Sequence, residues 1–522
     1  MILSSRLKLV DILLLFEMHQ PRRLKRQFGR LSGQGCHNFE ESFFDDELNR
    51  EILQRVAERS YLPMLKMLSA RLKSDRFRCS VCASGTLLDQ CNMWNSAVLS
   101  ALKEIRASNR CEFIAEPYFR SISSILEYDD FSRQIAIHRK VLKELLNYDA
   151  LTARNTGWIY DNGVGETLSS LGFKAGLVEG SGSLLGWRSP NYLYASRGGG
   201  LKLIARDYRL SDIINYRLCS SALPSGIADA EALYQIFAGK EGDLVLVSFN
   251  METFGERYSD GNATRAFLEK LLDLIESNDD LRLSTPLEAC QSLEPRGELE
   301  GEQPTSSADL EKDLSAWASN PLQKYCLDNM KYLYPLAKSS GGKALRAWRL
   351  LCQADFYEYM SMKGGETGAI HSSYSHFSSP LEAFLTFNWT LTDYRQRLYS
   401  TLGENARYYR MLYGELPESH SFHFYKGFGA PSGIVARNLE ELKAAIGEVP
   451  AESIAYHLGR RDLGRWILEI LGCQDLAKAV DRLSPLEEPE AMRGRLLAEI
   501  EKAMDDARKR LGAGEKDANS KA

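Results

Sequence analysis

The sequence predicts an α/β fold, an incomplete (β/α)7 barrel of the TIM type followed by a helical bundle and a small C-terminal helical module. About seven short apolar runs alternate with amphipathic stretches up to residue 287, as expected for parallel strands joined by helices. Residues 314–412 carry helical periodicity without strand-like runs. The chain of 522 residues is also long enough for two or three domains.

The predicted strands are short, apolar and bounded by polar residues or glycine. They are residues 11–19, 77–85, 111–116, 156–161, 174–180, 201–207 and 243–250. A dinucleotide-binding fold is disfavoured, because "GVGETLSSLG" does not follow a strand as its fingerprint requires and "SRGGGLKL" is typical of a hairpin turn.

Composition places the domain boundaries. Residues 288–313 are rich in Glu, Pro, Gly and Ser, which indicates a linker or loop between the barrel (1–287) and the bundle (314–412). Residues 417–487 open with the aromatic "SHSFHFYKGFG" and continue with amphipathic helices, which predicts a separate module. The charged end of the chain, 512–522, predicts a disordered tail.

The charge balance excludes some classes of partner. A formal net charge of -5 offers no basic excess for a nucleic acid or an anionic membrane. The apolar run 9–16 is too short to span a bilayer and has no signal-peptide flanks, so we expect a buried strand and a cytoplasmic protein. Cys79 and Cys82 form a CxxC with no second pair at zinc spacing, which predicts core thiols.

Polar residues cluster at the ends of the predicted strands, where a (β/α) barrel carries its functional site. They are Glu17, His19, Glu116, Asp161, Glu179, Arg206, Asp207, Asn250 and Glu252. Several carboxylates with nearby aromatic residues favour a sugar site, while the absence of a Gly-rich loop with a lysine disfavours phosphate. A metal centre at His19 is an alternative, but no HxH or HExxH spacing supports it, and we expect neither metal nor cofactor.

Four motifs carry a resemblance to a known family. In chain order they are "FEMHQPRR" (16–23), "CEFIAEPYFRSISSIL" (111–126), "VSFNMETFGE" (247–256) and "LCQADFYEYM" (351–360). They resemble the signature regions of glycoside hydrolase family 57, in its α-amylase and α-amylase-like branch. Residues 154–196, 206–212 and 313–323 are similar to the same branch. The resemblance covers roughly residues 9–412 and implies the same incomplete barrel followed by a helical bundle.

The resemblance implies a retaining mechanism on α-glucosidic bonds, with a Glu nucleophile and an Asp proton donor. In such a pair one carboxylate attacks the anomeric carbon while a second carboxyl, about 5–5.5 Å away, protonates the leaving oxygen. The nucleophile motif places the nucleophile at Glu116. The donor motif of the α-amylase branch, Asp-Tyr-Glu-Thr-Phe-Gly, reads Asn-Met-Glu-Thr-Phe-Gly here, so the donor position is Asn250.

An amide at the donor position cannot act as acid or base. Glu252 is a conceivable substitute, because residues two apart on a strand share a face, but its side chain would be displaced by roughly 6–7 Å. Arg257 and Phe356 also replace histidines of the family pattern. The matching positions that the resemblance assigns to sugar binding are His19, Gln20, Trp187, Arg188, Trp317 and Asp355.

The expected function is therefore binding of α-1,4-glucan or a maltooligosaccharide with weak or absent hydrolysis. One alternative is an active hydrolase or glucanotransferase that recruits another acid such as Glu252. Another is a non-catalytic glycan sensor or scaffold, with a protein partner bound through the C-terminal module.

Overall fold

The structure is a computed structural model that describes most of the chain. The described residues are 9–26, 38–217, 229–257, 261–364, 368, 371, 373–414, 416, 418–483 and 488–519. They form two compact units. The first unit is drawn from residues 1–28, 41–327 and 349–388, and the second from residues 29–40, 328–348 and 389–522.

The first unit contains a sheet of ten strands among the described residues. The strands are β1 (Val10–Met18), β2 (Cys79–Ala83), β3 (Cys111–Phe113), β4 (Thr152–Arg154), β5 (Ala175–Glu179), β6 (Leu193–Ser196), β7 (Lys202–Arg206), β8 (Leu244–Asn250), β9 (Leu281–Ser284) and β10 (Glu298–Leu299).

Seven parallel strands of this sheet, within the described residues, close into a barrel. The ring runs β1-β2-β3-β4-β5-β7-β8 and returns to β1. Two seams are short: β3 meets β4 through the bridge Ala115–Ala153, and β7 meets β8 through the pair Arg206–Leu246. The predicted (β/α)7 barrel is confirmed, and β6 and β7 form the antiparallel hairpin that "SRGGGLKL" predicts.

Successive side chains along each strand point alternately into the barrel interior and outward to the layer beneath the helices. Leu13 and Leu15 belong to a buried cluster with Leu244 and Leu246, inside the ring. Phe16 belongs to the larger cluster formed with the surrounding helices. Because both faces are buried, these strands read as continuous apolar runs rather than as alternating ones.

Helices connect the strands and continue beyond the barrel. Up to residue 292 they are Phe39–Phe43, Asp46–Val56, Leu62–Arg71, Gly85–Trp94, Ser96–Ala107, Ser123–Leu126, Tyr128–Leu146, Asn162–Ser170, Gly182–Leu185, Tyr208–Asp212, Ala230–Ala238, Gly261–Glu276 and Pro286–Ser292. The next are Ser315–Ala318, Pro321–Ser339, Gly342–Leu351, Ala354–Tyr359, Pro380–Leu402 and Ala406–Tyr413. Two π-helical turns, Ala57–Tyr61 and Ile213–Arg217, interrupt this pattern, and each contributes a residue to the site described below.

One predicted barrel strand is wrong. Residues 156–161 do not form a strand: β4 is Thr152–Arg154, and Thr156–Trp158 is a 3-10 turn. Gly157 has φ +59 there, and a Cβ on it would lie 2.6 Å from the Trp317 ring, so the chain turns where its aromatic content suggested a strand. Asp161, predicted as a strand-end site residue, instead caps the helix Asn162–Ser170 by accepting from the Val164 N–H.

The expected linker 288–313 is also part of the barrel unit rather than a free connection. It includes the end of the helix Pro286–Ser292, which starts with a capping box. Strand β10 then pairs with β6, and Thr305 bridges Tyr160. Backbone pairing to the barrel unit therefore orders a segment whose composition suggested a loop.

The second unit is mostly helical and includes the C-terminal module. Its last helices are Leu439–Glu448, Ala451–Arg460, Asp462–Glu469, Gln474–Asp481 and Pro489–Asn519. A hairpin of β11 (Phe422–Gly427) and β12 (Ala430–Ala436) precedes them, which the expectation of an all-helical module missed. The range 512–522, predicted to be a disordered tail, overlaps the last helix, which is assigned as far as Asn519, and residues 520–522 lie outside the described residues.

The predicted bundle 314–412 is helical, but its residues are divided between the two units. Cys79 and Cys82 are buried free thiols, as predicted. Within the described residues, no helix is long and apolar enough to cross a membrane.

Candidate active site

The carboxyl ends of β1 and β8 place two polar side chains next to each other inside the barrel. Glu17 and Asn250 are in register on these parallel strands, two residues beyond the interior pair Leu15 and Ser248. Residues in register on neighbouring parallel strands point to the same face of the sheet. Since the Glu17 carboxylate contacts a residue inside the ring (Arg154, below), the Asn250 side chain also points into the mouth of the barrel.

A buried arginine at the end of β4 holds two of the carboxylates together. Arg154 Nη1 lies 2.5 Å from Glu17 Oε2, and Nη2 lies 2.8 Å from Glu116 Oε2. The Arg154 and Glu116 side chains are 3% and 1% exposed, so these charges are almost fully removed from water. Such a cluster is tolerable only because the cation compensates the carboxylates directly.

The main chain at Glu116 is fixed by a buried histidine. The Glu116 N–H donates to His138 Nδ1 at 2.9 Å, and His138 Nε2 lies 3.0 Å from the Ala83 carbonyl oxygen. Burial lowers the pKa of His138, so its ring is neutral, with the proton on Nε2 donated to Ala83. The histidine thus ties the loop after β3 to the end of β2.

The Glu116 carboxyl is held ionised. Burial opposes its charge, but the Arg154 and Arg120 guanidinium groups, with smaller contributions from His138 and His19, together outweigh burial and lower the pKa of Glu116. Oε2 is engaged by Arg154, whereas Oε1 is buried and has no hydrogen-bond partner among the described residues. An ionised carboxylate with one unengaged oxygen is the form that a nucleophile requires.

An aromatic ring forms the floor of the mouth. Trp158 is buried, with the guanidinium carbons of Arg154 and Arg206 at 5.2 Å and 5.4 Å from its ring centroid. Arg206 in turn binds the buried Glu179 through Nη2 and Oε2 at 2.9 Å. Both arginines therefore pack against the Trp158 ring, which is a structural role.

His19 is the centre of a second group, in which its two ring nitrogens have different partners. Nδ1 lies 2.7 Å from Ser84 Oγ, and Nε2 lies 3.1 Å from Asp355 Oδ2. Burial lowers the pKa of His19, so a neutral ring donates Nε2–H to Asp355 and accepts from the Ser84 hydroxyl. Burial opposes ionisation of Asp355, but His19 and Arg120 outweigh it and lower the pKa of Asp355.

Glu252 does not share a strand face with Asn250. Strand β8 ends at Asn250, and Met251–Thr253 forms a 3-10 turn, so the two-residue alternation stops before Glu252. Glu252 Oε1 accepts from the Tyr61 hydroxyl and, at 3.4 Å, from the His19 N–H. Burial raises the pKa of Glu252, which therefore retains its proton to higher pH than an ordinary glutamate.

Asn250 is held by its backbone rather than by its side chain. Its N–H donates to Asn215 Oδ1 at 2.8 Å. The Asn250 side-chain amide is half-buried and has no hydrogen-bond partner among the described residues. Position 250, where the sequence predicts the proton donor, therefore presents a free amide to the mouth.

The other predicted sugar-binding residues are distributed differently. Gln20 is buried, with its amide already bound to Tyr61 and Arg23. Trp317 is buried and donates Nε1–H to Glu358 at 3.0 Å, so it supports the site rather than facing a cleft.

Two of these residues are not part of the group around Glu116. Trp187 is 93% exposed. Arg188 donates to the Glu298 carbonyl oxygen at 2.8 Å. Both belong to the segment that follows β5.

Reasoning from sequence missed Arg154, Tyr61, Ser84 and Arg120. Arg154 ends a strand and would have been found had β4 been placed at 152–154 rather than at 156–161. Tyr61 lies in a π-helical turn far along the chain from Glu252, and no local sequence pattern indicates the hydrogen bond between them. The described residues contain no group of three His, Cys, Asp or Glu side chains able to hold a metal ion.

A parallel barrel with an ionised carboxylate, an aromatic floor and hydrogen-bonding side chains at its carboxyl-terminal mouth defines a class of protein, the barrel glycoside hydrolases. The chain belongs to glycosyl hydrolase family 57, whose sequence profile matches residues 13–301.

Comparison with known proteins agrees with this assignment. A protein of Methanocaldococcus jannaschii described as "Putative alpha-amylase" is 31% identical over 402 residues, covering 75% of this chain and 85% of that protein. A GH57 branching enzyme from Thermococcus kodakaraensis has a similar fold, with a TM-score of 0.53 at 12% identity over 78% of this chain and 92% of that one. A GH57-type branching enzyme from Pyrococcus horikoshii has a TM-score of 0.50 at 13% identity, covering 77% and 89% of the two chains.

Proposed function

We propose that this protein binds α-1,4-glucan or a maltooligosaccharide at the barrel mouth and hydrolyses it weakly or not at all. The observation that carries the proposal is the free amide of Asn250 at the donor position, in register with Glu17. Family membership and the arrangement around Glu116 support the sugar substrate.

Glu116 is suited to attack an anomeric carbon. Its pKa is lowered by Arg154 against the effect of burial, and Oε1 has no competing hydrogen bond among the described residues. Attack by Oε1 on C1 would form a glycosyl ester and expel the leaving oxygen, the first half of a retaining mechanism.

The leaving oxygen needs a proton that Asn250 cannot give. A sugar alkoxide is a poor leaving group, and the loss of general acid–base help typically costs roughly 10²–10⁴-fold in rate. The same residue would activate water in the second half of the reaction, so an amide impairs both steps.

The His19 group provides hydrogen-bonding capacity for a bound chain. Asp355 is ionised, and the Arg120 side chain is partly exposed beside it, with Nη1 at 3.9 Å from Asp355 Oδ1. A carboxylate and a guanidinium side by side accept from and donate to neighbouring sugar hydroxyls. Binding can therefore persist where chemistry is impaired.

Glu252 is the second candidate, as an acid in a working hydrolase or transferase. Burial raises its pKa, so the carboxyl keeps its proton to higher pH than an ordinary glutamate, which is the direction that a general acid requires. Against this role, its Oε1 is engaged by Tyr61 and His19, and the turn after β8 removes it from the face of Asn250. Donation to a leaving oxygen would require these contacts to rearrange.

The test is the variant Asn250→Asp, assayed on maltooligosaccharides. A carboxyl at this position should raise hydrolysis by roughly 10²-fold or more, and Glu116→Gln in the same background should abolish the gain. Asn92→Asp, on an exposed helical position, is the matched control and should change nothing.

Binding is measured separately by titration calorimetry with a maltooligosaccharide. The wild-type chain and Glu116→Gln should both bind it. Ordinary amylase activity in the wild type that survives Asn250→Ala but is lost in Glu252→Gln would reject the proposal and make Glu252 the acid.

A further inference from the structure

A cavity of about 370 Å³ lies between the segment that follows β5 and the helix that follows β7. Its walls come from eight residues between Gly180 and Asn191, from residues 207–209 and from Lys240, and none of the residues around Glu116 or His19 lines it. Gly182 and Gly186 are on its wall, and a Cβ added at either would meet nothing within 4 Å. Backbone can therefore approach a ligand closely there.

The cavity has an excess of positive charge. Three of its lining residues are cationic, Arg188, Arg209 and Lys240, and Asp207 is its one acidic lining residue among those described. Lys240 Nζ lies 2.5 Å from Asp207 Oδ2, so this pair is neutral together.

Asp207 also has a structural role: its Oδ1 accepts a hydrogen bond from the Leu210 N–H and caps the helix Tyr208–Asp212. The single negative charge of Asp207 is therefore shared between Lys240, the helix N-terminus and, more weakly, Arg209.

Neither arginine forms an ion pair among the described residues, although the Tyr208 hydroxyl and, more weakly, the Asp207 carboxylate raise the pKa of Arg209. Arg188 donates one N–H to the uncharged Glu298 carbonyl, and Arg209 lies with its guanidinium carbon 5.9 Å from the Tyr208 ring centroid. Within the part of the chain that the structure describes, no carboxylate lies within ion-pair distance of either arginine. Two guanidinium groups that line one cavity supply the charge and the forked N–H donors that a phosphate dianion accepts.

A buried acceptor at the same cavity points to a second kind of ligand group. Asn191 is only 5% exposed, and its Nδ2 donates to the Glu241 carbonyl at 3.2 Å. Its Oδ1 has no hydrogen-bond partner among the described residues. Leaving a buried amide oxygen unpaired is unfavourable, so a ligand that offers a donor is expected at this point.

Asn191 cannot easily move away from this position. A Cβ on Gly242 would lie 2.4 Å from the Asn191 carbonyl oxygen, so the two backbones are in close contact. That carbonyl also accepts from the Asp243 N–H at 2.9 Å. The unpaired oxygen is thus part of a fixed wall.

We propose that this cavity binds a phosphate monoester carried by a glucose unit. Arg188 and Arg209 bind the phosphoryl oxygens, and Asn191 Oδ1 accepts a hydrogen bond from a sugar hydroxyl, since a phosphate dianion has no proton to donate. The anionic group follows from the cavity itself, whereas the identity of the sugar rests on the proposed function. The three cationic residues Arg188, Arg209 and Lys240 are far apart in the sequence, so they do not form the glycine-rich loop with a lysine by which a phosphate site can be recognised from sequence.

Such a ligand has two possible sources, a free glucose phosphate or a phosphoryl group on a glucan chain. Trp187, next to Arg188 and 93% exposed, offers a ring on which a further sugar of a chain can stack. The two sources share the same contacts and are separated by the experiment.

The experiment is titration calorimetry on the full chain at fixed ionic strength. The probes are inorganic phosphate, glucose, glucose 1-phosphate and glucose 6-phosphate. At least one glucose phosphate should bind more tightly than both phosphate and glucose. The double variant Arg188→Gln/Arg209→Gln should weaken that binding by about tenfold or more, because charge-assisted hydrogen bonds are lost.

The matched control is Arg197→Gln, an exposed arginine outside the cavity lining, which should leave binding unchanged. The proposal would be overturned if no glucose phosphate binds more tightly than inorganic phosphate, or if the double variant binds the glucose phosphate as tightly as the wild type does. Equal weakening by Arg197→Gln would also overturn it, because it would indicate a general charge effect.

Phosphorylated and enzymatically dephosphorylated maltooligosaccharides then identify the source. Tighter binding of the phosphorylated chain than of either glucose phosphate assigns the phosphoryl group to a glucan, and the reverse order assigns the free sugar phosphate. Failure of the proposed function can be told apart from failure of this inference. If the proposed function fails, the wild type does not bind the dephosphorylated chain, but its binding of a glucose phosphate still depends on Arg188 and Arg209.

Discussion

The two sides of the barrel mouth are built differently. On the histidine side, both ring nitrogens of His19 have partners, Ser84 and Asp355. On the carboxylate side, Oε1 of Glu116 and the amide of Asn250 have no hydrogen-bond partner among the described residues. On the histidine side both nitrogens of the central ring are engaged, whereas the carboxylate side holds a buried ion-pair cluster with one unengaged carboxylate oxygen and an amide that has no acidic proton to give.

This difference shows how binding and chemistry can separate within one site. A hydrogen-bonded network keeps its shape without depending on any one ionisation. A retaining mechanism instead needs two carboxyl groups in opposite protonation states. With an amide at position 250, the Glu116 carboxylate is still compensated, because it is paired with Arg154.

The largest expected effect is on stability, from removal of the cation on the carboxylate side. Arg154→Met leaves Glu17 and Glu116 buried without a compensating charge, and should lower the free energy of unfolding by about 3–5 kcal/mol in urea titrations. Arg133→Met, which breaks an exposed pair with Asp129, is the control and should cost about 0.5 kcal/mol or less. A loss below about 1 kcal/mol for Arg154→Met would show that the buried cluster is not held by this arginine.

The next effect concerns Glu252 and depends on pH. Because burial raises its pKa in the folded protein, the folded state keeps a proton that the unfolded state loses above its ordinary pKa of about 4.3. Stability from this group is therefore fully present below about pH 4.3 and is lost as pH rises through the folded pKa. The variant Glu252→Gln lacks this dependence and can keep the oxygen that accepts from Tyr61.

The measurement is the free energy of unfolding of wild type minus that of Glu252→Gln, from pH 4 upward. This difference should fall with rising pH by about 1.4 kcal/mol for each unit by which the pKa is raised. Glu166→Gln, at an exposed helical position, should give a flat difference. A flat difference for Glu252→Gln too would mean that its carboxyl titrates normally, which would weaken its candidacy as an acid.

The smallest expected effects come from removing one polar side chain on each side of the barrel mouth, Ser84 on the histidine side and Asn250 on the carboxylate side. Ser84→Ala removes the partner of His19 Nδ1 and the cap of the helix Gly85–Trp94, so it should destabilise by about 0.5–2 kcal/mol. Asn250→Ala removes a side chain without partners among the described residues and should change stability by less than about 0.5 kcal/mol. Thermal unfolding of both variants, side by side, gives the comparison. A larger loss for Asn250→Ala would reveal a structural role for the amide.

The sequence predicts the barrel well because buried parallel strands are apolar on both faces and stand out as continuous runs. It also locates Glu116 and Asn250, since each lies where such a run ends. The false strand at 156–161 arose because a turn with Gly157 and Trp158 has the aromatic content of a strand. That error hid Arg154, the residue that keeps Glu116 charged.

Contacts between distant segments could not be predicted in the same way. Asp355 is recognisable by motif, but its hydrogen bond to His19 joins positions 336 residues apart. The engagement of Glu252 by Tyr61 depends on a π-helical turn and on the 3-10 turn after β8, and both break the periodicities on which sequence arguments rest.

The central claim is that Glu116 is a competent nucleophile without an acid partner. α-Glucosyl fluoride tests it most directly, because fluoride leaves without protonation. The wild-type chain should release fluoride in a burst that Glu116→Gln abolishes, should turn over faster when azide replaces water as the attacking group, and should leave maltooligosaccharides nearly intact. Rapid maltooligosaccharide hydrolysis, or no release of fluoride by the wild type, would contradict the account.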